Sequence, residues 1–282
     1  MRNQMHTWLL LGGHGMLGTD LQDVLRSAGR HVVTPRSSEC DIREPDCLQD
    51  RLADVDVVVN LAAWTAVDDA ETHEPDAFTL NAVGAHNVAR ACARANLPLV
   101  HLSTDYVFDG HATSPYPVDA PQAPRSAYGR TKAAGEWAVR AAHPGACIVR
   151  TAWLYGAHGS SFVSTMLRLA TAHETLSVVD DQVGQPTWTR DVAESVLQLA
   201  DGEAPGGYYH ATSTGSVSWC EFTQEIFRLR GLDPSRVEPT TTAAFPRPAP
   251  RPAYSVLDHP GDGPQIRAWQ DALAAALATW PS

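Results

Sequence analysis

Residues 7–18 read Thr7-Trp8-Leu9-Leu10-Leu11-Gly12-Gly13-His14-Gly15-Met16-Leu17-Gly18. A short apolar run gives way to glycines spaced G-x-x-G-x-x-G, after which Leu17, Leu21, Val24, Leu25 and Ala28 recur at helical spacing. This predicts a strand, a tight turn and a helix. Glycine at positions 12, 15 and 18 lets the backbone turn sharply, approach a pyrophosphate and bring the helix against its strand. Alone, a glycine triplet is weak evidence. Between a strand and an amphipathic helix it points to dinucleotide binding, with Gly12, Gly15, Met16, Leu17 and Gly18 against the cofactor.

Moving outward, His31 to Thr34 predicts the next parallel strand, followed by Pro35, Arg36, Ser37 and Ser38. An acid here selects NAD, whereas a guanidinium with hydroxyls suits the 2′-phosphate of NADPH, so NADPH is expected, with NADH left open. Arg36, Asp41 and Ile42 are the candidate contacts. Pro45 suits a first helical position, and Asp56 to Asn60 is a β-branched run of the kind found in a strand covered on both faces. Beyond it, Ala62, Ala63 and Thr65 are small enough for a cofactor to lie against the backbone. Pro75 to Ala95 predicts one long helix burying Phe78, Ala82, Ala85, Val88, Ala89 and Cys92.

Leu97 to Leu102 predicts a fourth strand, with Ser103-Thr104-Asp105-Tyr106-Val107-Phe108 at its carboxyl end, the edge where open α/β sheets bind ligands. Ser126 is a suitable cap for a helix carrying Tyr128 and Lys132, four residues apart on one face. A free phenol has a pKa of about 10, and a nearby ammonium moves it towards the working range. Cys147 to Trp153 is a fifth strand. Thereafter the alternation loosens: a helix over 162–172, a strand over 176–179, a turn-rich segment at 181–187 and a Thr189 cap for the helix of Val192, Val196 and Leu199. A strand at 208–211 and helices over 218–230 and 264–280 complete the chain. The expected class is α/β, a Rossmann-type doubly wound parallel sheet with a smaller, mostly C-terminal substrate-binding lobe. The expected division is an NADP(H)-binding domain over 1–155, with a returning segment at about 188–212, and the smaller lobe over 156–187 and 213–282.

The composition is globular: of 282 residues, 44% are hydrophobic and 19% charged. A net charge of −11, with no basic cluster, argues against nucleic acid. Five cysteines without a Cys-x-x-Cys indicate neither a zinc knuckle nor a disulfide framework, and free buried thiols are expected. No apolar run reaches the roughly 18 residues of a membrane span, and the N-terminal run is too short for a signal peptide. A cytoplasmic protein without a membrane partner is expected.

The glycine turn, the Ser103 to Phe108 segment and Tyr128-Gly129-x-x-Lys132, in this order and spacing, resemble the extended short-chain dehydrogenase/reductases. More narrowly, Asn60-Leu-Ala-Ala-x-Thr65-x-Val67-Asp68, Arg150-Thr-x-Trp153-x-Tyr155, Asp181-Gln-x-Gly184-x-Pro186-Thr187 and Arg251-Pro252 resemble the dTDP-4-dehydrorhamnose reductase family over nearly the whole chain. The resemblance implies hydride transfer from NADPH to the C4 ketone of a dTDP-4-keto-6-deoxyhexose, dTDP-4-dehydro-L-rhamnose giving dTDP-L-rhamnose. It implies that Tyr128 protonates the alkoxide, that Lys132 binds the nicotinamide ribose and lowers the Tyr128 pKa, and that Thr104 hydrogen-bonds the carbonyl oxygen. Val67, Asp105, Val107, Tyr128 and Trp153 are then expected in the sugar pocket, with Arg251 near the diphosphate.

A ketoreductase for another deoxysugar shares every motif. A non-catalytic NADP-binding subunit, resembling the regulator of methionine adenosyltransferase, is disfavoured by Thr104, Tyr128 and Lys132 standing together. Some members of the family use magnesium at a homodimer contact. Those ligands have no match in this sequence, so no metal ligand is assigned and a homodimer stays open.

Overall fold

In the computed structural model, which describes residues 6–49, 51–202, 204–261 and 263–280, the opening apolar run is strand β1 (Thr7–Leu11) and the glycine turn enters helix α1 (Met16–Ser27). There follow β2 (His31–Val33), α2 (Asp46–Gln49), β3 (Val57–Asn60), α3 (Glu74–Phe78), α4 (Ala85–Ala95), β4 (Leu99–Thr104), α5 (Ala127–Ala142) and β5 (Cys147–Thr151). The second half contributes β6 (Leu154–Tyr155), α6 (Phe162–Ala172), β7 (Leu176–Val179), β8 (Val183–Gly184), β9 (Thr187–Trp188), α7 (Thr189–Asp201), β10 (Gly207–His210), β11 (Val217–Ser218), α8 (Trp219–Leu229), β12 (Val237–Thr240) and α9 (Trp269–Thr279).

Six strands form one parallel sheet in the order β10-β5-β4-β3-β1-β2. Successive side chains alternate between its faces. Trp8, Leu10, Val57 and Val59 pack with Leu21 and Leu25 of α1 and Val192 and Val196 of α7. Leu9, Leu11 and Val58 pack on the other side with Val88 and Ala89 of α4 and Val139 of α5. Coverage on both faces is why β1 and β3 read as unbroken apolar runs, each fully buried Leu or Val contributing about 1.5–3 kcal/mol. The order reverses between β1 and β3, and at that switch point the strand ends open a crevice. A second core, built from Tyr155, Val163, Met166, Phe222, Phe227 and Leu273 among others, joins α6, α8 and α9.

Several sequence expectations are corrected. The predicted helix over 75–95 is interrupted by a π-turn at Thr79–Gly84, whose wider turn rotates the buried face, so Phe78 is 45% exposed and Ala77 is buried instead. Cys40 and Cys47 are joined as a disulfide, not free: the loop after β2 folds back to bring their Cα atoms to 5.1 Å, a spacing a disulfide accepts. Cys92, Cys147 and Cys220 are free and buried. Thr189 is the first helical residue of α7 rather than its cap, and its hydroxyl binds the Asp20 carboxylate. The last helix begins at Trp269 because the chain before it stays extended, Thr214 pairing with Arg267 at 3.1 Å. Among the described residues, no helix is long and apolar enough to cross a membrane.

Candidate active site

The carboxyl ends of β1 to β5 open into one cleft of about 1440 Å³. At its floor Gly12 has φ +78°, and a Cβ there would stand 2.6 Å from the Ala62 nitrogen, so only glycine fits the turn. Helix α1 starts at Gly15 with no side-chain cap and no acid in its first turn, leaving backbone N–H groups free for an anion. Met16, Leu17, Gly18, Ala62, Ala63 and Thr65 line the same wall. Beyond β2, Arg36, Ser37 and Ser38 border the cleft with Asp41 and Ile42. The Arg36 backbone N–H donates to Glu39 at 2.7 Å, while its guanidinium has no ion pair among the described residues. Asp41 pairs with Arg43 at 2.5 Å, a hydrogen bond that holds its carboxyl below the usual range. The turn, the uncapped helix end and the free guanidinium fit a dinucleotide with a 2′-phosphate.

Across the cleft, Ser126 caps α5 by accepting the Gly129 N–H at 3.0 Å, and Tyr128, Lys132 and Glu136 follow at one-turn intervals. Thr104, at the end of β4, donates to the Asp105 Oδ1 at 2.9 Å and faces the cleft with Tyr128 and Lys132. Desolvation pushes the Tyr128 phenol up to about 12, against a hydrogen bond from Thr104 that lowers it. Lys132 is 3% exposed and donates from Nζ to the Leu102 carbonyl at 2.6 Å. Burial pulls its ammonium down to about 8, the Glu136 carboxylate opposing. The expected lowering of Tyr128 by Lys132 is therefore corrected: the cation is directed at Leu102, and desolvation governs the phenol. A phenol near 12 carries its proton at neutral pH, as an acid must.

Asp105, Val67, Trp153 and Arg251 also line the cleft. Asp105 is 3% exposed, and its Oδ2 has no geometric hydrogen-bond partner among the described residues. Burial raises its carboxyl to about 6, with Ser255 and Thr104 hydrogen bonds offsetting part of the shift. An unpaired buried carboxylate oxygen is unfavourable until a ligand donates to it. Val107 is corrected: it lies two residues on in the 3₁₀ turn Asp105–Val107, which aims it away from the cleft, and it is fully buried with Phe108, Tyr116, Ala133 and Leu257. Arg251 pairs with Asp68 at 2.8 Å.

The family model described as RmlD substrate binding domain matches residues 5–281. The chain belongs to this family. A relative from Streptomyces antibioticus, named a probable dTDP-4,6-dihydroxy-2-methyloxan-3-one 4-ketoreductase, is 49% identical over 96% of this chain and 94% of its own. A dTDP-4-dehydrorhamnose reductase from Streptomyces griseus is 46% identical over 97% of this chain and 90% of its own. The crystal structure of a dTDP-4-dehydrorhamnose reductase from Bacillus anthracis in complex with NADP is 34% identical, with a TM-score of 0.93 over 98% of this chain and 99% of that one.

Within this RmlD-family cleft, the motifs missed three groups of residues. Glu136, fully buried, accepts hydrogen bonds from Ser103 at 2.5 Å and from Arg150 Nη2 at 2.8 Å, tying α5 to β4 and β5. Its position one turn beyond Lys132 was the available signal. Asp68, which holds Arg251, stands inside a quoted motif without an obvious role. Gln182, which stands inside the quoted Asp181 motif without an obvious role, and Trp219, the first residue of α8, also line the cleft, and no local spacing ties Trp219 to residues so far back in the chain. Trp153 itself has φ +47°, a left-handed conformation disfavoured for a side chain of this size by about 1–2 kcal/mol. No cluster of three or more metal-binding side chains occurs among the described residues.

Proposed function

We propose that the chain reduces the C4 ketone of dTDP-4-dehydro-L-rhamnose to dTDP-L-rhamnose with NADPH. The convergence of Thr104, Tyr128 and Lys132 on the cleft that holds the glycine turn carries this reading. Bound along that turn, NADPH supplies the hydride. Arg36, Ser37 and Ser38 hold its 2′-phosphate, and the free N–H groups of α1 meet its pyrophosphate.

Tyr128, whose phenol burial pushes up to about 12, holds its proton at neutral pH and gives it to the alkoxide oxygen. Thr104 orients that oxygen by a hydrogen bond, and Lys132, cationic below about 8, meets the nicotinamide ribose hydroxyls. The free Asp105 oxygen accepts from a sugar hydroxyl, while Arg251 attracts the diphosphate. In this reading residues 1–155, with the segment at about 188–212, bind the cofactor, and the remainder forms the sugar lobe.

The test is Tyr128→Phe. Turnover of NADPH with dTDP-4-dehydro-L-rhamnose should fall by roughly a hundredfold or more while the NADPH Kd holds. Unchanged turnover would remove Tyr128 as the acid. A second reading, the same reduction of another dTDP-4-keto-6-deoxyhexose, is favoured by the name of the 49% identical Streptomyces antibioticus relative. Turnover of that other sugar, with none of dTDP-4-dehydro-L-rhamnose, would select it.

A further inference from the structure

Trp153 and Trp219 stack face to face in the sugar end of the cleft, their ring centroids 3.4 Å apart and their planes within 5°. Gly184 packs close against the Trp153 ring, where an added Cβ would stand 2.4 Å from the indole. The three positions are set by one piece of local architecture. β8 pairs antiparallel with β11, Gly184 opposite Val217, and Trp219 follows β11 directly as the first residue of α8. Ser218 caps that helix reciprocally with Glu221, each contact 3.1 Å, so the backbone of Trp219 is fixed at a well-defined entry. Phe162, with its ring centroid 4.2 Å from that of Trp219, supports the ring from behind.

The left-handed backbone at Trp153, φ +47°, needs such support, because the conformation is unfavourable unless its surroundings impose it. With Trp219 stacked on it and the Gly184 backbone pressed against its ring, Trp153 has no room to serve as a stacking platform. Only its edge is left for a ligand, and its Nε1 proton finds no acceptor among the described residues. An edge offers a hydrogen-bond donor and the positive rim of the ring, which suits sugar oxygens rather than an apolar sugar face.

We propose that Trp219 is a positioning residue for the sugar: it clamps Trp153 against Gly184 so that the indole meets the deoxyhexose edge-on. The proposal rests on the sugar-nucleotide reading of the cleft and deepens it. Trp219 acts through Trp153, and its influence falls on the hexose, not on the nucleotide or the cofactor.

The test compares wild type, Trp219→Ala and Trp219→Phe by calorimetric titration with dTDP-L-rhamnose, dTDP and NADPH, alongside circular dichroism. Stacked indoles give an exciton couplet, which Trp219→Ala should abolish. The same variant should weaken dTDP-L-rhamnose roughly tenfold while dTDP and NADPH stay within about twofold, and Trp219→Phe, which retains a ring over Trp153, should recover most of the loss. Equal weakening of all three ligands would mean a merely structural role and would overturn the proposal. Unaltered dTDP-L-rhamnose affinity after loss of the couplet would overturn it as well. A wild-type chain that binds dTDP-L-rhamnose and dTDP no better than inorganic diphosphate would instead bring down the sugar-nucleotide reading, and this proposal with it.

Discussion

Arg251 reaches the Asp68 carboxylate at 2.8 Å, joining the C-terminal loop to the segment that leaves β3. Asp68 also accepts the Ala249 N–H at 3.2 Å. Burial acts to raise its carboxyl, but the Arg251 hydrogen bond, the Ala249 N–H and the Arg251 charge together outweigh it and leave the group below its ordinary range. The carboxylate thus holds the guanidinium at the wall of the cleft.

Removing that anchor should loosen substrate binding. Asp68→Asn should raise KM for the sugar nucleotide about tenfold and leave KM for NADPH unchanged. Arg251→Ala, which deletes the charge itself, should weaken dTDP by roughly ten- to a hundredfold, the range of a charge-assisted hydrogen bond. Titration with dTDP measures this directly. An unaltered dTDP affinity would take Arg251 out of the nucleotide site.

The pH profile of kcat/KM follows from two buried groups. Asp105, raised to about 6 chiefly by desolvation, loses its charge as pH falls through that value. Lys132, lowered to about 8 chiefly by desolvation, loses its charge as pH rises through that value. Activity needs both charges, so the profile should be bell-shaped, rising through about 6 and falling through about 8. Asp105→Asn should erase the acid limb alone. A flat wild-type profile across both values would contradict these roles.

Cofactor choice should turn on Arg36. Its guanidinium has no ion pair among the described residues, so a 2′-phosphate meets no competing carboxylate there. Arg36→Asp should lower the NADPH-to-NADH ratio of kcat/KM at least tenfold, the new acid both repelling the phosphate and accepting from the 2′-hydroxyl of NADH. Steady-state assays with each cofactor decide it, and an unmoved ratio would exclude Arg36 from the site.

The Glu136–Arg150 pair predicts a stability effect. Arg150 is 1% exposed, and its guanidinium packs on the Phe108 and Tyr208 rings, 4.9 and 4.4 Å from their centroids. Arg150→Met leaves the Glu136 carboxylate buried without its cation and should destabilise the fold by about 3–5 kcal/mol. Adding Glu136→Gln should restore part of that loss, a coupling readable from denaturant melts of the two single variants and the double variant. Strict additivity would show the two residues to be energetically independent.

Much of the site was legible because its chemistry is local. The Gly12 turn is a φ requirement, and Tyr128 with Lys132 is a helical spacing; both follow from bonds within a few residues. The strands were legible for the same reason, since two-faced burial writes a continuous apolar run. Local rules failed where a neighbour far along the chain decides. The π-turn that exposes Phe78 answers to packing around Asn81, whose side chain bonds Trp64 and Thr131. Val107 turns inward because a 3₁₀ turn cannot aim residues 105 and 107 the same way.

The amino-acid sequence by itself determined the parallel sheet and the family and singled out Thr104, Tyr128 and Lys132 as candidates for one site, because periodicity, turn chemistry and short motifs are properties of neighbours in the chain. Only the tertiary structure decided the electrostatics and the far wall of the cleft. Desolvation, which sets Tyr128 near 12 and Lys132 near 8, depends on everything packed around a group. The Trp153–Trp219 stack and the Arg251–Asp68 pair join residues 66 and 183 positions apart, a separation across which no sequence period carries information.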